Sequence, residues 1–227
     1  MSEVDDFYAD CYRAVFEGNA GRAVAVAHKR MEHGVVESFP RVLEVGAGSG
    51  QHREYVKHPY DVYVETDIRS DAPTQEVVGG HTLIREHADA GDLRYDDSSF
   101  DRLVATCLLI HLAEPEEALA AWRRVVKPGG LLTIYVPCDP GLLLRLTRKL
   151  TTARKVRKLG FDSYDLVLAR EHRNHAEALD VLIKHACQGD DVKVEHWPFR
   201  VPSWNLNYFA VYQIRRATNT SATGSLS

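Results

Sequence analysis

The densest chemical signal in the chain runs from Val42 to Gly50, where the apolar stretch Val42-Leu43-Glu44-Val45 opens into Gly46-Ala47-Gly48-Ser49-Gly50. A strand that empties into glycines lets a ligand lie against bare backbone, and a helix beginning near Gln51 would aim unpaired N–H donors at it. The spacing narrows the ligand. A dinucleotide fingerprint wants its third small residue three places after the second glycine, where Gln51 stands. A phosphate-binding P-loop ends in Lys followed by Ser or Thr, where Gln51-His52 stand. Both features count against NAD binding and ATP hydrolysis. Glu44 closes an otherwise apolar strand, where a buried acid needs a partner: a cationic ligand, solvent or a nearby Arg. Asp67 ends the next strand, about 20 residues beyond the loop, a place from which a carboxylate accepts hydrogen bonds from ribose hydroxyls. Together with the glycines, Glu44 and Asp67 point to a nucleoside site.

The elements that must hold these residues read as alternating strands and helices. Short β-branched, apolar runs over 41–46, 61–66, 81–87, 100–106 and 131–137 are strand candidates. Between the last two, PEEALAAWRRVV opens with Pro and acids and closes with basic residues before Lys127-Pro128-Gly129-Gly130, the signature of a helix over 115–126. Such alternation argues for a parallel sheet. Two helices are expected before it, over 7–16 and 24–36, with a break at 18–21. Beyond residue 137 come a basic stretch over 142–159, a helical pattern over 173–186, and two strands over 192–199 and 206–214 whose short connection makes them an antiparallel hairpin. The tail, 217–227, has almost nothing to bury and is expected to be mobile.

Composition fits one globular domain. Of 227 residues, 44% are hydrophobic and 26% charged, and the formal charge of −4 supplies no global attraction to nucleic acid or anionic lipid. Cys11, Cys107, Cys138 and Cys187 are too scattered for metal ligation and are read as free thiols; no metal site is expected. The amino-terminal sequence is acidic and unlike a signal peptide, and no apolar run approaches the roughly 20 residues that span a bilayer, so a cytoplasmic location without stable membrane insertion is expected.

The glycine loop, together with HADAGDLRYDDSSFDRLVAT and CLLIHLAEPEEALAAWRRVVKPGGLLTIYVP in that order and spacing, resembles the class I S-adenosylmethionine-dependent methyltransferases, in the branch acting mostly on small molecules. The likeness covers about 42–137. It implies a Rossmann-like α/β fold: a seven-stranded, mostly parallel sheet with the last strand antiparallel and helices on both faces. A single domain over 1–216 would comprise amino-terminal helices (1–38), the core, and a substrate-side helical insert (138–190). In the family pattern, Gly46, Ala47, Gly48 and Gly50 wrap the methionine part of the cofactor, Glu44 orients the loop or the amino group, and Asp67 holds the ribose. Ile68 flanks the adenine, Asp89 and Ala90 meet its amino edge, and Thr106 and Cys107 lie near the methyl-bearing sulfur. Asp92 and Asp96 are alternatives for the third acid.

The implied reaction transfers the sulfonium methyl of S-adenosylmethionine to a small-molecule acceptor, leaving S-adenosylhomocysteine. The expected acceptor is a hydroxyl of a saccharide or natural-product-like compound, with a histidine as general base. His111, at the carboxyl edge after the fourth strand, and His175 lead the candidates, followed by His172; Asp139 could orient one of them. The basic stretch suits an anionic substrate. Competing readings are an N-methyltransferase, a non-catalytic S-adenosylmethionine-binding module, a dinucleotide oxidoreductase and an RNA methyltransferase. The acidic balance weakens the last, and no nucleic-acid partner is expected. Oligomeric state is not readable.

Overall fold

Strands carrying apolar side chains on both faces need helices on both sides of their sheet. The computed structural model, which describes residues 19–70, 73–158 and 164–218, shows that arrangement. The helix expected over 7–16, Cys11 and nearly all of the tail lie outside the described residues. Helix α1 (Asn19–Met31) is followed by β1 (Arg41–Val45), a single 3₁₀ turn (His52–Tyr55), β2 (Val62–Asp67), β3 (Thr74–Val78), β4 (His81–His87) and β5 (Phe100–Thr106). Then come α2 (Pro115–Val125), β6 (Val126–Pro137), α3 (Leu142–Leu150), α4 (Thr152–Lys158), α5 (Tyr164–Glu171), α6 (Ala176–Ala186), β7 (Asp191–Trp197), a short 3₁₀ turn (Trp204–Leu206) and β8 (Phe209–Arg215).

The eight strands form one sheet in the order β3-β4-β2-β1-β5-β6-β8-β7. β4, β2, β1, β5 and β6 pair in parallel, whereas the last strand, β8, runs antiparallel to both β6 and β7. The expected seven strands are all present. The eighth, β3, is an edge strand that pairs antiparallel with β4 and is exposed along its whole length. Lacking a buried face, it has no apolar alternation to betray it. The adjacent pair Gly79-Gly80, both with positive φ, is the only local hint of its hairpin.

Side chains alternate between two cores. Leu43, Val45, Leu103, Ala105, Leu132 and Ile134 pack under Leu119 and Trp122 of α2 and Leu179 and Ile183 of α6. Val42, Tyr63, Val104 and Leu131 face the other way, under Ala27 and Met31 of α1. Two local expectations are corrected here. Asn19, Ala20 and Gly21 lie inside α1, which stops at Met31 instead of running to 36; burial of its apolar stripe outweighs the glycine cost of about 1 kcal/mol. The helix expected near Gln51 is only the four-residue 3₁₀ turn. Pro59 disfavours helical backbone at His58, and α1 supplies the cover on that face.

Candidate functional site

Because β4, β2, β1, β5 and β6 are neighbours running in one direction, everything that follows their carboxyl ends meets at one edge of the sheet. There Gly46, Gly48 and Gly50 hold φ of +65°, +56° and +75°. A Cβ on Gly46 would come within 2.8 Å of the Leu108 methyl groups and one on Gly50 within 2.8 Å of the Glu65 carboxylate, so a side chain at either would displace a neighbour and strain the left-handed backbone. A Cβ on Gly48 would meet nothing within 4 Å. The open flank of the loop is therefore at Gly48. The loop is tied to β2: Ala47 N–H donates to Thr66 O at 2.9 Å, and Gly48 N–H to Asp67 Oδ2 at 2.9 Å. Asp67 Oδ1 accepts from Arg69 N–H at 2.9 Å. A carboxylate offers about four lone-pair sites, so Asp67 keeps acceptor capacity for a ligand. Next to it Ile68 is 60% exposed.

Asp89 follows β4, where its Oδ1 accepts from Gly91 N–H at 2.8 Å. Ala90 is buried, and its carbonyl accepts from Trp122 Nε1–H at 2.8 Å. Asp92 is engaged on the surface with Arg94 at 3.3 Å, and Asp96 is exposed. Thr106 and Cys107 close β5, with Cys107 in the left-handed region at φ +56°. Burial pushes the Cys107 thiol up to about 12, so it stays protonated at neutral pH. The thiols of Cys107, Cys138 and Cys187 are all free.

Glu44 lies beneath the loop at 1% exposure and meets neither solvent nor an Arg; it accepts from the Tyr63 hydroxyl at 2.8 Å. Burial raises its carboxyl to about 7, against the opposing effects of nearby His52 and of Tyr63. A polar network links α1 to the segment that follows the loop. His28 and His52 share a hydrogen bond between their Nδ1 atoms at 2.9 Å, and His52 Nε2 lies 2.9 Å from Glu32 Oε1. Glu32 in turn accepts two hydrogen bonds from the fully buried Arg102, at 2.6 and 2.9 Å. Burial would raise the Glu32 carboxyl, but His52 and Arg102 outweigh it and bring it to about 2.

The histidines separate into two groups. Arg173 N–H and Asn174 N–H donate to Ile110 O, and Asn174 Nδ2 donates to Leu109 O and Leu112 O, sewing the 171–176 segment onto the loop after β5. This brings the rings of His111 and His172 to 5.2 Å, and it places His172 Nδ1 in a short contact with Asp139 Oδ2. Arg148 Nη1, from α3, approaches the same carboxylate oxygen at 2.7 Å as an ion pair without an aligned hydrogen bond. Burial opposes ionisation of Asp139, yet the His172 hydrogen bond and the Arg148 charge hold its carboxyl down at about 2. An ionised Asp139 requires the proton on His172 Nδ1 and leaves Nε2 as the basic nitrogen. His111 is lowered to about 4 by burial and by His172, and its Nδ1 lies 3.0 Å from Glu171 O. His175 stands apart as the N-cap of α6, accepting from Ala178 N–H at 3.3 Å.

Residues 43–134 match the family described as Methyltransferase domain. Over that stretch, about two fifths of its length, this chain carries a methyltransferase domain. Two curated relatives illustrate the likeness. Demethylmenaquinone methyltransferase of Clavibacter sepedonicus is 31% identical over 97 residues, which span 41% of this chain and 40% of that protein. The 27-O-demethylrifamycin SV methyltransferase of Amycolatopsis mediterranei is 27% identical over 146 residues, 60% of this chain and 51% of that protein. The chain thus spans only about half, or less, of the length of these relatives. Among solved structures, an S-adenosylmethionine-dependent methyltransferase from Thermotoga maritima superimposes with a TM-score of 0.59 at 18% identity, covering 94% of this chain and 96% of that one.

The family's cofactor, S-adenosylmethionine, fits the residues present. The open flank at Gly48, the spare acceptor capacity of Asp67 and the exposed Ile68 lie side by side where an amino-acid tail, a ribose and an adenine would follow one another. Sequence reasoning did not find Arg148, one basic residue among several in its stretch, nor Tyr63, whose contact with Glu44 depends on the pairing of β1 with β2. For Tyr63 the strand alternation was the available signal. For Arg148 there was none short of the folded position of α3.

Proposed function

We propose that this methyltransferase methylates a hydroxyl of a small molecule, with His172 as general base and Asp139 as the group that orients it. The observation that carries this reading is the pairing of His172 Nδ1 with an ionised Asp139 at the edge where Cys107 closes β5. When bound, S-adenosylmethionine supplies an electrophilic methyl group that the acceptor displaces in line from sulfur. The chain's own residues aim and deprotonate. Gly46, Ala47, Gly48 and Gly50 cradle the donor's amino-acid part, with Glu44 beneath them, and Asp67 takes the ribose. Ile68 covers the adenine, and Asp89 and Ala90 meet its edge, ahead of Asp92 and Asp96. Thr106 and Cys107 border the reacting end. His172 Nε2 accepts the hydroxyl proton, and the negative Asp139 stabilises the imidazolium that forms. Arg148 sets how strongly Asp139 does so. His111, held neutral and packed on His172, restricts that ring.

The 138–190 segment supplies Asp139, Arg148 and His172 and is the acceptor-side insert of a single domain over 1–216. Saccharide and natural-product hydroxyls are the acceptor class, in keeping with the rifamycin O-methylating relative. An amine that arrives deprotonated would need no base, which makes the base the deciding measurement. With an acceptor identified by S-adenosylhomocysteine release, His172→Ala and Asp139→Asn should each lower kcat by about 10²-fold or more while donor affinity is unchanged. His175→Ala should cost only helix-cap stability, about 1 kcal/mol. If no histidine replacement lowers kcat by that factor, the hydroxyl reading gives way to an amine acceptor. If donor binding is intact in a chain that turns over no acceptor, a binding module is left.

A further inference from the structure

Helix α3 has two faces with different partners. Its inner face serves the site: Arg148 pairs with Asp139, and Thr147 Oγ1 lies 3.1 Å from the Tyr208 hydroxyl. The opposite face should be polar if it met only water. Instead Leu142, Leu146 and Leu150, four residues apart and so on one side of the helix, are 54%, 51% and 58% exposed. No residue of α3 is fully buried. Arg145 and Lys149 project from the same exposed side, and Arg154, Arg157 and Lys158 continue the positive charge along α4. Among the described residues, no acidic side chain forms an ion pair with any of these five.

The apolar surface extends beyond the helix. Leu142 N–H donates to Asn205 Oδ1 at 3.2 Å, which fixes the Trp204–Leu206 turn beside α3 and leaves Leu206 49% exposed there. The same loop is braced by the fully buried Asn207. It accepts from Phe199 N–H at 3.0 Å and donates to Val201 O and Ser203 O, each at 2.8 Å, so the exposed Phe199 is held in place rather than free to fold inward.

Leucines in a stripe beside cations that have no acidic partner among the described residues, on a chain whose overall charge is −4, do not suit general attraction to anions. They suit one surface, apolar in depth and negative at its rim. We propose that α3, α4 and the 199–206 loop form a docking face for an anionic lipid bilayer, which brings the Asp139–His172 edge of the sheet to the membrane surface. Docking is peripheral: no helix of the described residues is long and apolar enough to cross a membrane. The leucines enter the headgroup region while Arg145, Lys149 and the α4 cations meet lipid phosphates.

Co-sedimentation of the full chain with vesicles tests this. The protein should pellet with equimolar phosphatidylcholine and phosphatidylglycerol, stay in solution with phosphatidylcholine alone, and be released by raised salt. Leu146→Glu and Leu150→Glu, at exposed positions that leave the core intact, should each lower the bound fraction by about tenfold. Arg154→Gln should lower it by about fivefold. Calorimetry should show S-adenosylmethionine affinity unchanged in all three, which separates failure of docking from failure of the methyltransferase reading. The proposal is overturned if the full chain does not pellet with anionic vesicles. It is also overturned if the charge variant loses binding while both leucine variants keep it, since the attraction would then be electrostatic alone and the leucines would not enter the headgroup region.

Discussion

Within the glycine loop, a Cβ on Gly46 or Gly50 would press on the Leu108 or Glu65 side chain, whereas a Cβ on Gly48 would meet nothing of the protein within 4 Å. Gly48→Val should therefore reduce S-adenosylmethionine affinity by at least about tenfold, with a smaller loss of stability of about 1–2 kcal/mol from the left-handed backbone. Glu44→Ala and Asp67→Ala should weaken binding as well, by removing hydrogen-bond acceptors. Calorimetry on folded variants checks this, and wild-type affinity in all three would remove the site assignment. Glu44 also predicts a pH dependence. Unfolded, its carboxyl ionises near 4.5; folded, it does so only at about 7. Between those values the folded state keeps a proton that the unfolded state has released, so ligand-free stability should fall as pH rises through this window, by on the order of 3 kcal/mol. Glu44→Gln has no such proton. Urea midpoints of the two proteins measured from pH 5 to about 8 should diverge, and parallel curves would show that Glu44 ionises freely.

At the scale of elements, the short turn after the glycine loop is compensated by α1, but the interface between them is polar rather than apolar. Arg102 is fully buried and depends on Glu32, with a further contact of 3.2 Å to Thr133 Oγ1. Breaking a buried pair leaves an uncompensated charge, so Arg102→Met should destabilise the chain by about 3–5 kcal/mol in urea denaturation. Adding Glu32→Leu should recover part of that loss, because the remaining charge is then gone as well. A double variant no better than the single one would mean that Arg102 acts through packing on Phe39, whose ring centre lies 5.8 Å from the guanidinium, rather than through its ion pair.

The donor site proposed above would draw on β1, β2, β4 and β5 together, so occupying it should stabilise the molecule as a unit. At a donor concentration about 100 times Kd the gain is about 2.7 kcal/mol, which for a domain of this size raises Tm by about 5–10 °C. S-adenosylmethionine should produce that shift in a thermal melt and NAD should not. A shift with NAD, or with neither compound, would contradict the donor specificity read from the loop.

The sequence by itself determined the elements whose signals are local. The strand and glycine turn at 41–50, the strands at 81–87 and 100–106 and the helix opening at Pro115 were legible because apolar period, turn chemistry and capping act over a few residues. The antiparallel last strand followed from the short connection between two apolar runs. Tertiary structure decided the rest. It paired β3 with β4 without burying it, and shortened the expected helix at Gln51 to one turn because α1 already covered that face. It also separated the histidines. The sequence put His111 and His175 ahead of His172, but the bonds between the 171–176 segment and the loop after β5 set His172 against Asp139, 33 residues away, while His175 caps a helix. A proton-transfer geometry depends on distances between residues far apart in the chain, and local pattern carries no information about those distances.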